Sequence, residues 1–466
     1  MSQYFKCNTN KPPLTYKCGE TITFTVTAKN NCCDMPCRYV RWTLEGDDGK
    51  KSSGLGTIDI AKPLILETTL DRPGYVHLVC QAFDCDNNLV GCIDSLDAGA
   101  GAEIEKLAYC DTVPEDFDQY WSEIEKKVAD FPLELLECAE LTHGIKEGFR
   151  VFDVKIKTPS GRPASGYITY PKKEGKYPIR FEMEGYSVVG AYITYCDNCI
   201  CARFNAHGIE NTLDTAKIEV IEKYPELNDY GFNKEENSSE YDCYWRNMMI
   251  RNLIAAKYVK TLDCWDGENF VSRGGSQGAF QATTLAAHDS AVTALEIAIP
   301  WFCNLNAENC GYLAGWRPEF AEGLRYFDTV AQATRVKCPV FIDAGLGDYI
   351  CPPSTVTVLY NSFKTEKALN MMQARTHPYI PPEWEISRLR FDPKNPSGEV
   401  RKGIYRHFKG KEYEVLGTAL NCETLEETVI YKALYGEGKL WIRPKWEFTE
   451  SFLRDNKVIK RFEFLD

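Results

Sequence analysis

No stretch of this chain approaches the roughly 20 consecutive apolar residues that a membrane-spanning helix needs. The opening residues, Met1-Ser2-Gln3-Tyr4-Phe5-Lys6-Cys7, lack the apolar centre of a secretory signal, so the expectation is a cytoplasmic protein. Basic residues are in deficit: 54 Lys and Arg against 67 Asp and Glu give a net charge of −13. Nucleic acid and anionic membrane are therefore not expected partners, because a phosphate surface is met by clustered Lys and Arg. A neutral small molecule such as a sugar is compatible with that balance. Histidine is scarce too, with six among 466 residues, which shortens the search for a catalytic base.

Cysteine, by contrast, is plentiful at twenty residues. An even count in a short secreted chain would suggest a disulfide framework. Here the cysteines are scattered through every region of a long chain, and free thiols of a reducing compartment are the expectation. Cys196-x-x-Cys199-x-Cys201 and Cys32-Cys33-x-x-x-Cys37 have ligand-like spacing, but neither has a clear second ligand pair at the usual distance. Neither a metal nor an organic cofactor is expected.

The length suggests about three domains. Residues 1–105 read as an all-β, immunoglobulin-like sandwich. Short alternating runs such as Thr21–Thr27, Tyr39–Leu44, Leu64–Leu70 and Gly74–Cys80 are separated by Gly, Pro, Asn and Asp. The Ala-Gly stretch Asp97–Ala102 reads as a joint. From residue 112 the period changes. Pro114–Trp121 opens a helix continuing through Ile124 and Val128, and strand-like runs alternate with helical ones as far as 392, the pattern of an α/β domain. The runs include Phe152–Ile156, Arg180–Glu184, Phe270–Ser272 and Pro339–Asp343. A polar stretch, Asp392–Gly398, makes a second joint, and residues 400–466 read as a small β-rich domain with a helix-like piece from Thr424 to Tyr435.

Gly274-Gly275-Ser276-Gln277-Gly278 satisfies G-x-S-x-G, with strand-like residues before it and the helix formers Ala279–Ala287 after it. The motif works only as a sharp strand-to-helix turn, which lifts the serine hydroxyl clear of the sheet beside the N–H groups of a helix N-terminus. A serine nucleophile needs a base and an orienting carboxylate. His77 lies in the β module, His143 precedes the completed sheet, His288 sits on the helix after Ser276, and His407 lies in the C-terminal segment. His207 and His377 remain, and the hydrolase order of serine, acid, histidine selects His377. Pro378 keeps His377 off a helix. For the acid, Asp343 and Asp348 both leave a late strand. Asp348 follows Gly345-Leu346-Gly347 and begins a turn, so it fits better than Asp343.

The block Gly345-Leu346-Gly347-Asp348-Tyr349-Ile350-Cys351-Pro352-Pro353, with Gly-Gly-Ser-Gln-Gly, Tyr326-Phe327-Asp328 and Pro114–Trp121, resembles the acetyl xylan esterase and cephalosporin-C deacetylase family over residues 112–390. The resemblance implies an α/β-hydrolase fold and removal of acetyl groups from acetylated xylo-oligosaccharides or similar esters. It implies Ser276 as nucleophile, Asp348 as acid, His377 as base, and the N–H groups of Tyr186 and Gln277 as oxyanion donors. Assembly into a homo-oligomer is a family trait and carries over as an expectation. The chain departs from the family at His207-Gly208-Ile209, where Arg-Gly-Gln is usual, and at Thr376-His377-Pro378, where Gly-His-Glu is usual. His207, Trp301 and Phe302 are expected substrate-pocket residues. Residues 403–466 resemble a small bacterial domain of unknown function through Tyr405–Gly410, Glu423–Glu427 and Trp441–Pro444.

Two other readings share these features. A serine oligopeptidase has the same triad order, but it needs a large gating domain that 105 residues do not supply. A catalytically inactive carbohydrate-binding scaffold would keep the fold and not the chemistry.

Overall fold

The computed structural model describes residues 5–28, 39–58, 62–83, 86–89, 95–211, 217–381, 385–423 and 426–465; the cluster of Cys32, Cys33 and Cys37 lies outside them. The N-terminal strands are β1 (Phe5–Thr9), β2 (Ile22–Ala28), β3 (Tyr39–Gly46), β4 (Lys51–Gly56), β5 (Leu64–Thr68), β6 (Gly74–Phe83) and β7 (Ser95–Ala102). They form two sheets, in the orders β1-β2-β5 and β4-β3-β6-β7. Period-two alternation turns Ile22, Phe24 and Val26 of β2 and Val76, Leu78 and Cys80 of β6 into one core.

The Asp97–Ala102 run is therefore a strand and not a joint. A Cβ on Gly99 would stand 2.5 Å from the Leu346 carbonyl oxygen, and one on Gly101 would meet Ile104 and Tyr75 at 2.6 and 2.7 Å. The small residues serve close packing against the following domain, which composition alone cannot distinguish from looseness.

Helix α1 (Phe117–Asp130) buries the stripe Phe117, Tyr120, Trp121, Ile124 and Val128. A large sheet follows, made of β8 (Leu135–Glu140), β9 (Phe149–Ile156), β10 (Ala164–Pro171), β11 (Tyr177–Met183), β12 (Ile200–Phe204), β13 (Trp265–Gly275), β14 (Ala294–Ala298), β15 (Val340–Gly345), β16 (Lys367–Met372) and β17 (Ile386–Phe391). Its order is β17-β16-β15-β14-β13-β11-β12-β10-β9-β8, with the run from β16 to β12 parallel. Helices α2 (Lys217–Lys223), α3 (Tyr244–Val259), α4 (Gln277–His288), α5 (Thr329–Ala333) and α6 (Pro353–Ser362) fill the connections. Ser272 donates to the Ala282 carbonyl of α4 at 3.0 Å, so Phe181, which is paired with Ser272, shares the face that α4 covers. The opposite face is charged. Arg180 pairs with Glu182, Arg203 with Glu184, and Arg273 with Glu296. That accounts for the alternation in Arg180-Phe181-Glu182-Met183.

The C-terminal strands are β18 (Gly403–His407), β19 (Glu412–Leu420), β20 (Glu427–Ala433), β21 (Leu440–Pro444), β22 (Ser451–Arg454), β23 (Lys457–Lys460) and β24 (Phe462–Leu465), with α7 (Lys445–Thr449) between β21 and β22. Of the helix-like piece expected from Thr424 to Tyr435, residues 424 and 425 lie outside the described residues, and Glu427–Ala433 is instead strand β20, which buries Val429, Tyr431 and Ala433 at period two. Its β-branched Thr428-Val429-Ile430 run favours a strand once neighbouring strands are present. Among the described residues no helix is long and apolar enough to cross a membrane.

Candidate active site

Strand β13 ends at Gly275 and α4 begins at Gln277, leaving Ser276 on the turn with φ 54° and ψ −123°. A non-glycine residue in so sparsely populated a region costs about 1–3 kcal/mol and persists only where its surroundings enforce it. Here the Ser276 N–H donates to the Ala298 carbonyl at 3.0 Å. A Cβ on Gly274 would come within 2.2 Å of the Gly278 carbonyl group, and one on Gly278 within 2.3 Å of the Met183 carbonyl oxygen. The glycines of the motif thus let the turn fold onto itself and onto β11.

The turn faces two loops. One follows β15 and carries Asp348; the other follows β16 and carries His377. His377 Nε2 lies 3.0 Å from Ser276 Oγ, and its Nδ1 lies 3.0 Å from Asp348 Oδ2. Asp348 is buried, and its other oxygen accepts the N–H groups of Ile350 at 3.0 Å and Cys351 at 2.9 Å. A carboxylate so fixed has one oxygen left for the imidazole. Such a line lets the hydroxyl lose its proton as it attacks a carbonyl carbon. Asp343 lies on the charged face, where its Oδ1 accepts from Asn370 Nδ2 at 2.7 Å, whereas the imidazole of His377 is taken up by Asp348 and Ser276. The Gln277 N–H stands at the positive end of α4. Among the described residues neither it nor the Tyr186 N–H enters a backbone hydrogen bond.

The two loops lean on the N-terminal sheets. Gly99 of β7 and the side chain of Gln373 bond reciprocally. Ala374 inserts into the N-terminal core, and His77 stacks on Tyr349 with ring centroids 3.6 Å apart. Asp47 accepts the Leu313 N–H at 2.8 Å, and Arg72 donates to the Cys310 and Gly311 carbonyls at 3.0 and 2.6 Å. Burial lifts the Asp47 carboxyl to about 6. Gln373, Asp47 and Arg72 were not visible as site residues in the sequence, since nothing local marks a contact between distant segments. The one available signal was small residues on both sides, Gly99 and Gly347, each of which abuts the other segment's backbone.

Beside Ser276 stands an aromatic group. Trp301 donates its N–H to the Ser276 carbonyl at 3.3 Å and its indole N–H to the Trp316 carbonyl at 2.6 Å. Tyr186 meets Trp316 edge-on at 4.7 Å and Trp301 at 5.9 Å, and Phe232 lies 4.9 Å from Trp316. Of this group only Trp316 is well exposed, and no sequence motif marks it. Two expected pocket residues lie elsewhere. Phe302 is buried between Trp245 and Phe280, at centroid distances of 4.9 and 4.7 Å, so the aromatic run Trp301-Phe302 splits between pocket and core.

His207 is wholly buried. Its Nε2 lies 2.7 Å from the Ser187 carbonyl, which can only accept, so Nε2 carries the proton and Nδ1 accepts from Tyr244 at 2.7 Å. Burial pushes this imidazole down to about 3, so it is neutral. It packs edge-on against Tyr230, whose hydroxyl donates to Gln277 Oε1 at 2.8 Å. It therefore supports the wall from behind.

The acetyl xylan esterase family model matches residues 102–308 and 318–394. A second model, described only as a protein of unknown function (DUF1653), matches residues 403–464. Among curated proteins, the acetyl esterase Axe7A of Xylanibacter ruminicola is 26% identical over 343 residues, 68% of this chain and 73% of that one. Among solved structures, the acetyl xylan esterase from Paenibacillus sp. R4 gives a TM-score of 0.50 at 19% identity, covering 60% of this chain and 94% of its own. Residues 309–317, which carry Trp316 and are held by Asp47 and Arg72, fall in the gap of the family match.

Proposed function

Because the chain belongs to the acetyl xylan esterase family, we propose that it removes O-acetyl groups from sugars, with acetylated xylo-oligosaccharides as the substrate class, through Ser276, His377 and Asp348. It is an esterase with an α/β-hydrolase core and a β-rich C-terminal domain. The observation that most supports the triad is the unbroken line from Ser276 Oγ through His377 to Asp348, at 3.0 Å per step.

In this reading Ser276 attacks the acetyl carbonyl while His377 Nε2 takes the hydroxyl proton and Asp348 stabilises the imidazolium. The oxyanion receives the N–H groups of Tyr186 and Gln277, each worth roughly 3–4 kcal/mol in related chemistry. His377 then passes its proton to the departing sugar oxygen. A water, activated by the same imidazole, attacks the acetyl-serine and releases acetate. These residues supply every proton transfer, so the reading calls for no metal or organic cofactor in hydrolysis. It also takes the N-terminal sheets as an immunoglobulin-like module, the compartment as cytoplasmic and the working form as a homo-oligomer.

A fluorophosphonate probe tests the nucleophile. Folded wild-type protein should be labelled at Ser276, and labelling should vanish in Ser276→Ala. Absence of labelling in folded wild type would favour the inactive scaffold, and cleavage of peptide amides would favour an oligopeptidase.

A further inference from the structure

Three thiols that the hydrolysis does not use meet at the start of β12. The sulfurs of Cys196, Cys199 and Cys201 lie within 4.8 Å of one another, and those of Cys199 and Cys201 are 3.7 Å apart. Thiolates bound to one tetrahedral Zn²⁺, each about 2.3 Å from the metal, stand about 3.8 Å from one another. Cys199 and Cys201 are buried, and Cys196 is half-buried at the mouth.

The sheet around the thiols supplies a second observation. Strand register sets Arg180 of β11 and Thr169 of β10 directly beside Cys201, and residues paired in this way project from the same face. Arg180 Nε and Thr169 Oγ1 are both buried without a hydrogen-bond partner among the described residues. The Thr194 hydroxyl also lies beside Cys201. Neutral thiols are weak acceptors and give such donors little to bond. Metal-bound thiolates are charged acceptors, and outer hydrogen bonds to ligand atoms are a regular part of metal sites.

We propose that Cys196, Cys199 and Cys201 form a site for a thiophilic divalent cation of the Zn²⁺ kind, held by three thiolates with the fourth position open to water beside Cys196. Binding releases one proton from each thiol that is not already ionised. Three thiolates and one dication leave a net charge of −1 beside the Arg180 guanidinium, whose Nη2 also pairs with Glu182. The site stands apart from the hydrolytic serine. Cys201 is level with Val271 of β13 and not with Ser276. The turn of the β22–β23 hairpin sits on the same loop: Asn198 Nδ2 donates to Asp455 Oδ1 at 2.6 Å, and Asn456 Nδ2 reaches Cys196 Sγ at 3.9 Å. A cation here would fasten the C-terminal domain to the core.

The test is titration of the full chain, stripped with a chelator under reducing conditions, with Co²⁺ and then Zn²⁺. The expected result is a thiolate-to-cobalt charge-transfer band that one equivalent of Zn²⁺ abolishes. In Cys196→Ser, whose half-buried position spares the fold, Zn²⁺ affinity should fall by more than the roughly hundredfold that loss of an outer hydrogen-bond partner costs. Zn²⁺ should raise the unfolding midpoint of the wild type far more than that of the variant. No such band in the wild type would overturn the proposal. So would a band and midpoint shift equal in the wild type and Cys196→Ser, because the metal would then sit on other cysteines.

Discussion

Gly99 and Gln373 exchange two hydrogen bonds: the Gly99 N–H donates to Gln373 Oε1 at 3.0 Å, and Gln373 Nε2 donates to the Gly99 carbonyl at 2.9 Å. The pair is buried and joins an N-terminal strand to the loop that carries His377. Gln373→Ala leaves both backbone groups without this partner, a loss of roughly 1–3 kcal/mol for each. It also frees the loop four residues before the base. We expect kcat to fall by roughly ten- to a hundredfold with KM little changed, since small misplacements of a catalytic group have effects of that size. Steady-state kinetics at a temperature where the variant is folded check this. An unchanged kcat would mean that the N-terminal sheets do not position His377.

The acid is tested by a pair of substitutions. Asp348→Asn should lower kcat by on the order of 10⁴-fold, as loss of the orienting carboxylate does in other triads. Asp343→Asn should change it little, because Asp343 bonds Asn370 on the charged face. The reverse ranking in two folded variants would move the acid role to Asp343.

Much of this site was legible in the sequence, because G-x-S-x-G between strand and helix and the Gly-Leu-Gly-Asp block are local signals. His377 followed from scarcity and order. What escaped was set by packing between distant segments. Gly99 and Ala100 read as a joint because small residues mark looseness and tight packing alike. Phe302 read as a pocket residue because it adjoins Trp301, yet its φ of 65° turns it into the core. Trp316 sits in a stretch with no motif, where only contact with Tyr186 and Trp301 gives it meaning.

Trp316 leads to a specificity prediction. It is an exposed ring closing the space beside Tyr186, on a segment outside the family match. A methylene that clashes costs roughly 1–3 kcal/mol, whereas one that fits gains about 0.8 kcal/mol. Trp316→Ala should therefore raise the butyryl-to-acetyl ratio of kcat/KM by about tenfold. A ratio that does not move would remove Trp316 from the acyl wall.

His207 gives a pH signature of stability. Its folded value of about 3 lies below the ordinary 6.5, so the unfolded chain binds the proton first as pH falls. The sign is fixed by that order: stability is full above pH 6.5 and declines from there toward pH 3, by up to about 5 kcal/mol. Urea unfolding between pH 7 and 4 should show a shallower decline in His207→Gln than in wild type. Parallel curves would mean that the burial of His207 carries no such linkage.

The central claim is deacetylation of sugars by Ser276, and acetate release from acetylated xylo-oligosaccharides at neutral pH measures it most directly. The account predicts steady acetate release by wild type, a kcat lower by on the order of 10⁴–10⁶-fold in folded Ser276→Ala, and kcat/KM falling steeply from acetyl to butyryl esters. Equal acetate release by the folded Ser276→Ala protein, or a preference for octanoyl esters, would contradict it.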